Sequence, residues 1–498
     1  QDDPATDVVM LYLESFGNPS KFSRTARALS YRKPVVAVKV GGAAADHWVE
    51  PEDWPPDATS GALLEQTGII RVDNLTQMFH TAGVLAHQPL PEGDRVAVVT
   101  NSWGPAWLAV DALKASGLTP AEPVDLSNEA EPERFTEALA EVYADLGVDA
   151  VLVIYAPAVT THYKKVGAAI REAARRPGAV TTVACLLGQH GPSTLADDAG
   201  RVPQFPFPEE AALALGRVAS YATWRARPVG TFCELPADDL AQACQLVGRW
   251  LSEAAETGQV ADTARADGGG DGWPGAGRRW LSPLEAAELL DTVGLRPVDQ
   301  ALADDVEEAV GAARRLGYPV ALKASGLERL SKTEAGGVSL DVHGDDEVRH
   351  AYDRMCELLG DAMRPAVVQS MVPEGAECRV GIYRHPVLGD VLTLGPGGSA
   401  AERVADQVMQ ILPLTDADAH RLIDASVLGR VLDEQGADAR QALVDLLLRL
   451  SALAEAVPEI AAVRLNPVLV VAGSAAITDA RIGLQPFTPD TRPPVRRL

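Results

Sequence analysis

Short runs of β-branched and other apolar residues alternate with helix-like stretches from residue 7 to residue 225. The strand-like runs lie at residues 7–13, 34–40, 68–72, 95–100, 150–155 and 180–186. The helical patterns lie at residues 19–31, 74–86, 106–116 and 208–225. Such alternation is typical of βαβ units, in which successive strands are parallel. The pattern therefore predicts an α/β fold built on parallel sheets.

Residues 252–280 interrupt this alternation. They are rich in Ala, Glu and Thr, include a glycine cluster at 268–272 and have little to bury, so we interpret them as a linker. Beyond them, Ser282, Pro283 and Glu285 are the residue types of a capping box with proline at the first helical position. The sequence therefore predicts a new domain that starts with a helix near residue 281.

The charge and composition of the chain argue against some classes of binding partner. The formal net charge of −25 argues against nucleic acid or an anionic membrane surface as the main partner. It does not argue against a nucleotide, because phosphate sites are local and often built from backbone N–H groups. Five scattered cysteines and the lack of an apolar run of membrane-spanning length predict a cytoplasmic protein that does not enter a membrane. The strand pattern so near residue 1 suggests a piece of a longer protein.

Lys323 is the first candidate for nucleotide chemistry. It closes the strand-like run of residues 317–323, and SKTEAGGV follows at residues 331–338. A strand lysine and a glycine-bearing hairpin could hold a triphosphate, because the lysine supplies charge and the glycines let backbone N–H groups approach the phosphates. The alternative is a solvated lysine beside an ordinary hairpin turn, and these residues alone favour it.

Two further candidates lie near the end of the chain. Asn466 stands in RLNPV and Asp479 in ITDAR, so two hard oxygen ligands are expected on neighbouring strands. Such ligands suit a Mg²⁺ ion that bridges nucleotide phosphates. The alternatives are a turn residue before proline for Asn466 and a surface charge for Asp479.

Together these segments resemble the ATP-grasp domain of ADP-forming acyl-CoA synthetases, relatives of succinyl-CoA synthetase. The matching segments occur in family order: YPVALK, SKTEAGGV, VVQSMVPEGAECRVG, TLGPGG, RLNPVLV and ITDARIGL. The resemblance implies ATP or ADP bound between two subdomains with Mg²⁺ held by an Asn and an Asp. The nucleotide-binding residues that it implies are Lys323, Lys332, Gly336, Gly337 and Glu377, and the metal ligands are Asn466 and Asp479.

The first half of the chain also resembles this family. LYLESFGNPSKF and KPVVAVKVGG are similar to its phosphohistidine-loop domain, and RVAVVTNSWGP and GVDAVLVIYAP to the flavodoxin-like domain that follows. The expected architecture is two flavodoxin-like, succinyl-CoA synthetase-like parallel-sheet domains followed by an ATP-grasp domain. The expected bounds are 1–90 for a partial phosphohistidine-loop domain, 91–251 for the flavodoxin-like domain, 252–280 for the linker and 281–490 for ATP-grasp.

The same resemblance implies partners outside this chain. CoA or acyl-CoA would bind through a Rossmann domain that these residues do not include. Similar modules are fused to GNAT-type acetyltransferase domains in bacterial lysine acetyltransferases, so a GNAT domain is a further expected partner. A homodimer is expected by resemblance alone.

The family's phosphoryl relay is altered in this sequence. Glu14 matches the glutamate that orients the relay histidine, with a simple strand-ending residue as the alternative. The histidine itself is expected near Trp48 or Val49, and His47 is the nearest, but bulky aromatic residues and acids flank it in the sequence. Those carboxylates should repel a phosphoryl group. Ser331 stands where the family commonly has a second histidine, and Arg464 where it has an acid.

These departures leave three functions open. The favoured one is a catalytically degenerate, regulatory module that senses acyl-CoA or nucleotide within a larger protein. The second is an active ADP-forming acyl–CoA ligase that either uses His47 or bypasses the relay. The third is an ATP-grasp carboxylate ligase that passes an acyl phosphate to another nucleophile.

Overall fold

The computed structural model describes residues 2–14, 19–39, 63–157, 162–189, 195–197, 200–257, 278–325, 336–385, 389–398 and 406–487. These residues divide into two compact units, and the chain passes from one to the other between Pro228 and Val229. The first unit contains parallel sheets and the second contains antiparallel sheets.

The first unit opens with a three-stranded parallel sheet in the order β1-β2-β3. Its strands are β1 (Val9–Leu13), β2 (Val35–Lys39) and β3 (Ile69–Val72), and its helices are α1 (Pro19–Ser30) and α2 (Leu75–His87). Helix α2 begins where the side chain of Asn74 accepts a hydrogen bond from the backbone N–H of Gln77, as an N-cap does. The predicted strand–helix alternation is confirmed over these elements.

A six-stranded parallel sheet follows in the order β11-β8-β7-β4-β5, with β6 also paired to β4. Its strands are β4 (Arg95–Thr100), β5 (Thr119–Pro120), β6 (Val124–Asp125), β7 (Ala150–Tyr155), β8 (Thr181–Leu186) and β11 (Gln204–Phe205). A separate antiparallel pair is formed by β9 (Ala196–Asp197) and β10 (Gly200–Arg201). The order matches the doubly wound flavodoxin-like pattern.

The helices of this sheet are α3 (Trp103–Ala115), α4 (Pro132–Ala144), α5 (Tyr163–Ala174) and α6 (Pro208–Ala226). The prediction began α3 at residue 106 and was wrong at that boundary, because the helix starts at Trp103. Pro105 therefore lies in the first turn, where the missing proline N–H would have no intrahelical partner in any case.

The second unit begins with α7 (Ala237–Thr257). Ala243, Leu246 and Trp250 of this helix belong to the apolar core beneath the seven-stranded sheet of the second unit. The predicted domain boundary at residue 251 falls inside this helix. That boundary remains a prediction, although α7 itself packs in the core of the second unit.

The seven-stranded sheet has the order β12-β22-β20-β17-β18-β19, with β21 paired to β20. Its strands are β12 (Arg279–Trp280), β17 (Ala376–His385), β18 (Gly389–Pro396), β19 (Val408–Ile411), β20 (Ile460–Val471), β21 (Ser474–Ile477) and β22 (Ala480–Leu484). Its apolar face shares one core with α8 (Pro283–Asp291), α11 (Asp416–Ala425), α12 (Leu428–Gln435) and α13 (Ala437–Ala456). The capping box predicted at Ser282 and Glu285 is confirmed.

A four-stranded antiparallel sheet, in the order β13-β16-β14-β15, forms the other part of this unit. Its strands are β13 (Gln300–Ala303), β14 (Val320–Ala324), β15 (Val338–Val342) and β16 (Ala366–Ser370). The helices α9 (Val306–Leu316) and α10 (Asp345–Leu359) pack with it around a separate apolar core. A 3₁₀ turn at Gly360–Met363 follows α10.

No helix in the described part of the chain is both long enough and apolar enough to cross a membrane.

Candidate nucleotide-binding site

The two faces of the seven-stranded sheet differ in chemistry. Because side chains alternate along a strand, the core residues Val380, Leu465 and Ile482 define one face as apolar. The opposite face carries the side chains of the intervening positions of β17, β20 and β22 and of the residue just before β22. Its polar side chains are those of Glu377, Arg379, Arg464, Asn466, Asp479 and Arg481. We call this the polar face. It carries three of the residues that the sequence predicts for nucleotide and metal binding.

Lys323 reaches this region from the four-stranded sheet. Its side chain is only 9% exposed, and its ammonium group donates to Oε1 of Gln369 at 2.6 Å and to the carbonyl oxygen of Thr478 at 2.9 Å. Gln369 also donates to the same carbonyl at 3.0 Å. A buried ammonium group needs such acceptors, since an unpaired buried charge is strongly unfavourable. The two sheets are thus joined beside Asp479.

Asn466 and Asp479 are neighbours, as the sequence predicts. The backbone N–H of Asn466 donates to the carbonyl oxygen of Asp479 at 3.2 Å. Both the N–H and the hydroxyl of Thr478 donate to the carbonyl oxygen of Pro467. These bonds hold the turn between β21 and β22 against β20 and place both predicted metal ligands at one end of the polar face.

Gly398 connects Asn466 to Glu377. Its N–H donates to Oδ1 of Asn466 at 3.0 Å, and a Cβ atom at this position would overlap the carboxylate of Glu377. Its φ of +58° is in the left-handed region that favours glycine. The second glycine cluster of the sequence therefore packs between two predicted site residues.

The side-chain oxygens at this end of the polar face suit a Mg²⁺ ion that is bound together with a nucleotide. Asn466 and Asp479 offer amide and carboxylate oxygens, which are the hard ligands that Mg²⁺ prefers. The Oδ1 atom of Asn466 accepts from Gly398, and an amide oxygen retains a second lone pair. Within the described ranges, no three His, Cys, Asp or Glu side chains converge on a metal-sized site. Mg²⁺ is commonly held by one or two carboxylates plus substrate phosphates, so the pair suffices.

The structure describes only part of the predicted glycine loop. Strands β14 and β15 form an antiparallel pair with Lys323 opposite Val338, and the N–H of Ala324 donates to the carbonyl oxygen of Gly337 at 2.9 Å. Gly336 has a φ of +69°. Gly336 and Gly337 are therefore close to Lys323 in the same hairpin. Lys332 and Ser331 lie outside the described residues.

The predicted relay residues are not brought together by the described part of the chain. Glu14 is exposed and directly follows β1. His47 lies outside the described residues, so its distance from Glu14 is not defined.

Cys378 takes no part in this chemistry. Its side chain is fully buried in the core on the apolar face of β17. Burial, with a smaller contribution from the charge of Glu377, raises the pKa of the Cys378 thiol to about 12. The thiol therefore stays protonated and unreactive near neutral pH.

Comparison with known proteins tests the fold and the family. A model described as an ATP-grasp domain matches residues 273–484, and one described as a succinyl-CoA ligase-like flavodoxin domain matches residues 1–85. The beta subunit of acetate–CoA ligase (ADP-forming) I of Pyrococcus furiosus is 30% identical over 216 residues, which cover 42% of this chain and 93% of that subunit. The chain belongs to the ADP-forming acyl-CoA/acetate–CoA ligase family.

One further relative matches over most of the chain, and a solved structure matches over 49% of it. The 4-hydroxybutyrate–CoA ligase (ADP-forming) of Nitrosopumilus maritimus is 28% identical over 525 residues, which cover 96% of this chain and 70% of that protein. A solved structure is similar over 49% of this chain and all of its own chain, with 27% identity and a TM-score of 0.38. It is the acetyl-coenzyme A synthetase 1 of Ca. Korarchaeum cryptofilum in complex with coenzyme A and Mg-AMPPCP.

The combination predicted from the sequence, an α/β fold with a parallel-sheet flavodoxin-like domain and an ATP-grasp domain, is confirmed. Sequence reasoning missed two members of the site. Gln369 contacts Lys323, and Arg481 lies on the polar face next to Asp479. A polar residue that is 2% exposed inside an apolar strand signals a required hydrogen bond, so the pattern VVQSM held a usable clue to Gln369.

Proposed function

We propose that this member of the ADP-forming acyl-CoA ligase family binds ATP or ADP with Mg²⁺ on the polar face. Lys323 supplies positive charge to the phosphates, and Asn466 and Asp479 hold the metal. The observation that carries the proposal is the hydrogen bond from Lys323 to the carbonyl of Thr478, because it keeps the lysine beside Asp479. The bound metal would neutralise phosphate charge, and the residues of this chain would orient the nucleotide.

The proposal extends to the glycines and to Glu377. Gly336 and Gly337 lie in the hairpin of Lys323, where backbone N–H groups can approach phosphates. Glu377 packs on Gly398, which in turn donates to Asn466. Lys332 is assigned to the same loop by its position in the sequence.

We assign the chain a regulatory role in which nucleotide or acyl-CoA is sensed and phosphoryl relay is lost. The support is chemical: acids and aromatic residues flank His47 in the sequence, Ser331 lacks a basic ring nitrogen, and Arg464 places a positive charge two residues before Asn466. CoA or acyl-CoA would bind through a separate Rossmann domain. A GNAT-type acetyltransferase domain is the proposed output of the larger protein, supported by the family resemblance alone.

An active ligase is the second candidate. The observation that favours it is that relatives named as ADP-forming CoA ligases match 96–97% of this chain. In this case the bond between the γ-phosphorus and the bridging oxygen of ATP breaks, a bond forms to an imidazole nitrogen of His47, and ADP leaves. Glu14 would orient that imidazole.

Phosphoryl labelling separates the two candidates. The full chain is incubated with γ-phosphate-labelled ATP and Mg²⁺, and the protein is tested for label that is acid-labile and base-stable. The regulatory proposal expects ATP binding by calorimetry without such label. Label that disappears in His47→Ala and persists in His87→Ala would overturn it in favour of the ligase, since His87 is an exposed histidine at the end of α2.

A further inference from the structure

Two arginines lie directly opposite each other on the polar face. Arg464 of β20 pairs in register with Arg481 of β22, and the strands are antiparallel. Side chains paired in this way have Cβ atoms about 4.5–5.5 Å apart, and like charges at that spacing repel each other. Trp280 fixes Arg481, whose guanidinium carbon lies 5.2 Å from the centre of the indole ring. Within the described ranges, Arg464 has no hydrogen-bond or ion-pair partner.

The neighbouring positions in this row carry small side chains or none. On the other side of Arg464, strand β17 presents Gly381, which has no side chain, and Thr393 of β18 follows in the same row. Arg379 lies two residues before Gly381 on the same face and donates to Gln407 at 3.2 Å. A third guanidinium group therefore lies on the same face of the strand next to Arg464.

The arginine pair is next to the proposed metal ligands. Asn466 lies two residues after Arg464, and Asp479 lies two residues before Arg481. Two residues of a strand span roughly 7 Å, which is the scale of a phosphate chain. The face carries three arginines and the carboxylates of Glu377 and Asp479, and Lys323 reaches it from the four-stranded sheet.

We infer that Arg464 and Arg481 form a phosphate subsite, one row away from the metal ligands on the polar face. The inference rests on the proposed function, because the phosphate group is either the terminal phosphate of the bound nucleotide or free inorganic phosphate. Guanidinium groups match phosphate oxygens with paired N–H donors, and a bound dianion removes the repulsion between the two cations. Arg464 thus gives the bound phosphate group a positively charged partner that belongs to the protein itself.

The test measures binding and thermal unfolding of the full chain at constant ionic strength. The ligands are inorganic phosphate, adenosine and ATP with Mg²⁺, and the proteins are wild type, Arg464→Gln and Arg481→Gln. Arg430→Gln is the matched control, since Arg430 is an exposed arginine on α12 of the same unit. The subsite predicts that Arg464→Gln weakens binding of ATP or phosphate at least tenfold, leaves adenosine binding unchanged and does not lower the melting temperature without ligand.

The results with the three ligands distinguish a failure of this inference from a failure of the proposed function. A wild-type chain that binds inorganic phosphate but neither ATP nor adenosine refutes the proposed function, while loss of that phosphate binding in Arg464→Gln still supports the subsite. If Arg464→Gln binds ATP and phosphate as tightly as wild type, or if wild type binds neither, the subsite is refuted. A lower melting temperature of ligand-free Arg464→Gln would contradict the predicted repulsion.

Discussion

The ammonium group of Lys323 and the side-chain amide of Gln369 form a 2.6 Å hydrogen bond where the two sheets of the second unit meet. Both side chains are more than nine-tenths buried, and both donate to the carbonyl oxygen of Thr478. The three groups form a closed network in which each polar atom named has a partner. Networks of this kind specify one geometry, because a buried polar group left without a partner is costly.

The first prediction concerns the stability that this network provides. Gln369→Met removes one acceptor for Lys323 and one donor to Thr478, so we expect the free energy of unfolding to fall by about 1–3 kcal/mol. Lys323→Met should lower the free energy of unfolding by a similar amount. Chemical denaturation of both single variants and the double variant measures the coupling, which should be about 0.5–3 kcal/mol for residues in contact.

Gln441→Met is the control for that experiment, since Gln441 lies on the exposed side of α13. Its effect should stay within about 0.5 kcal/mol. Strictly additive effects of the two buried substitutions would show that the network does not act as a unit.

The second prediction compares two glycines. Gly398 and Gly473 both have positive φ, of +58° and +76°, but only at Gly398 would a Cβ atom meet another group, the carboxylate of Glu377. Each substitution by Ala should cost about 1–2 kcal/mol of backbone strain. Gly398→Ala also forces the Glu377 carboxylate to move, which adds a small cost because this side chain is flexible, and Glu377→Ala should recover that excess. If Glu377→Ala raises the unfolding free energy of Gly398→Ala no more than that of Gly473→Ala, the close packing of Gly398 on Glu377 is refuted.

The third prediction concerns the metal. Asp479→Asn removes the charged ligand, so we expect the Mg²⁺-dependent part of ATP affinity to fall at least tenfold while the affinity without Mg²⁺ changes little. Titrations with and without Mg²⁺ measure both quantities. Glu434→Gln removes a carboxylate from the exposed surface of α12 and should change neither. An unchanged Mg²⁺ effect in Asp479→Asn would remove Asp479 from the metal site.

The fourth prediction concerns acid stability. Hydrogen bonds from the Arg314 guanidinium and then from the Tyr318 hydroxyl lower the pKa of Asp345 to about 2, from its usual 3.8. The folded state therefore favours the carboxylate, so the stabilisation is present above roughly pH 4 and is lost as pH falls towards 2. Asp345→Asn should be less stable than wild type at pH 6, and the two should converge near pH 2.

Urea midpoints between pH 6 and pH 2 measure this dependence. Asp346→Asn is the matched control, because the neighbouring Asp346 side chain is 92% exposed and contacts Arg349 only at 3.5 Å. A difference between Asp345→Asn and wild type that persists unchanged to pH 2 would contradict the lowered pKa.

The sequence predicted local features well and long-range ones poorly. The capping box of Ser282 needs only four consecutive residues, so its signal is complete in the sequence. Asn466 and Asp479 were expected on neighbouring strands from the segments that contain them, and the backbone hydrogen bond between the two residues agrees. Gln369 was missed because its partner Thr478 is 109 residues away, and no local pattern connects them. Trp103 was left outside the helix predicted at residues 106–116, although the proline at position 105 is compatible with a first helical turn.

Nucleotide binding at Lys323 is the central claim, and calorimetric titration of the full chain with a non-hydrolysable ATP analogue and Mg²⁺ tests it most directly. Wild type should bind one equivalent, and Lys323→Met, with a melting temperature checked to confirm folding, should bind at least tenfold more weakly. Equal affinity in a folded Lys323→Met variant, or no binding by wild type, would contradict the assignment of this site.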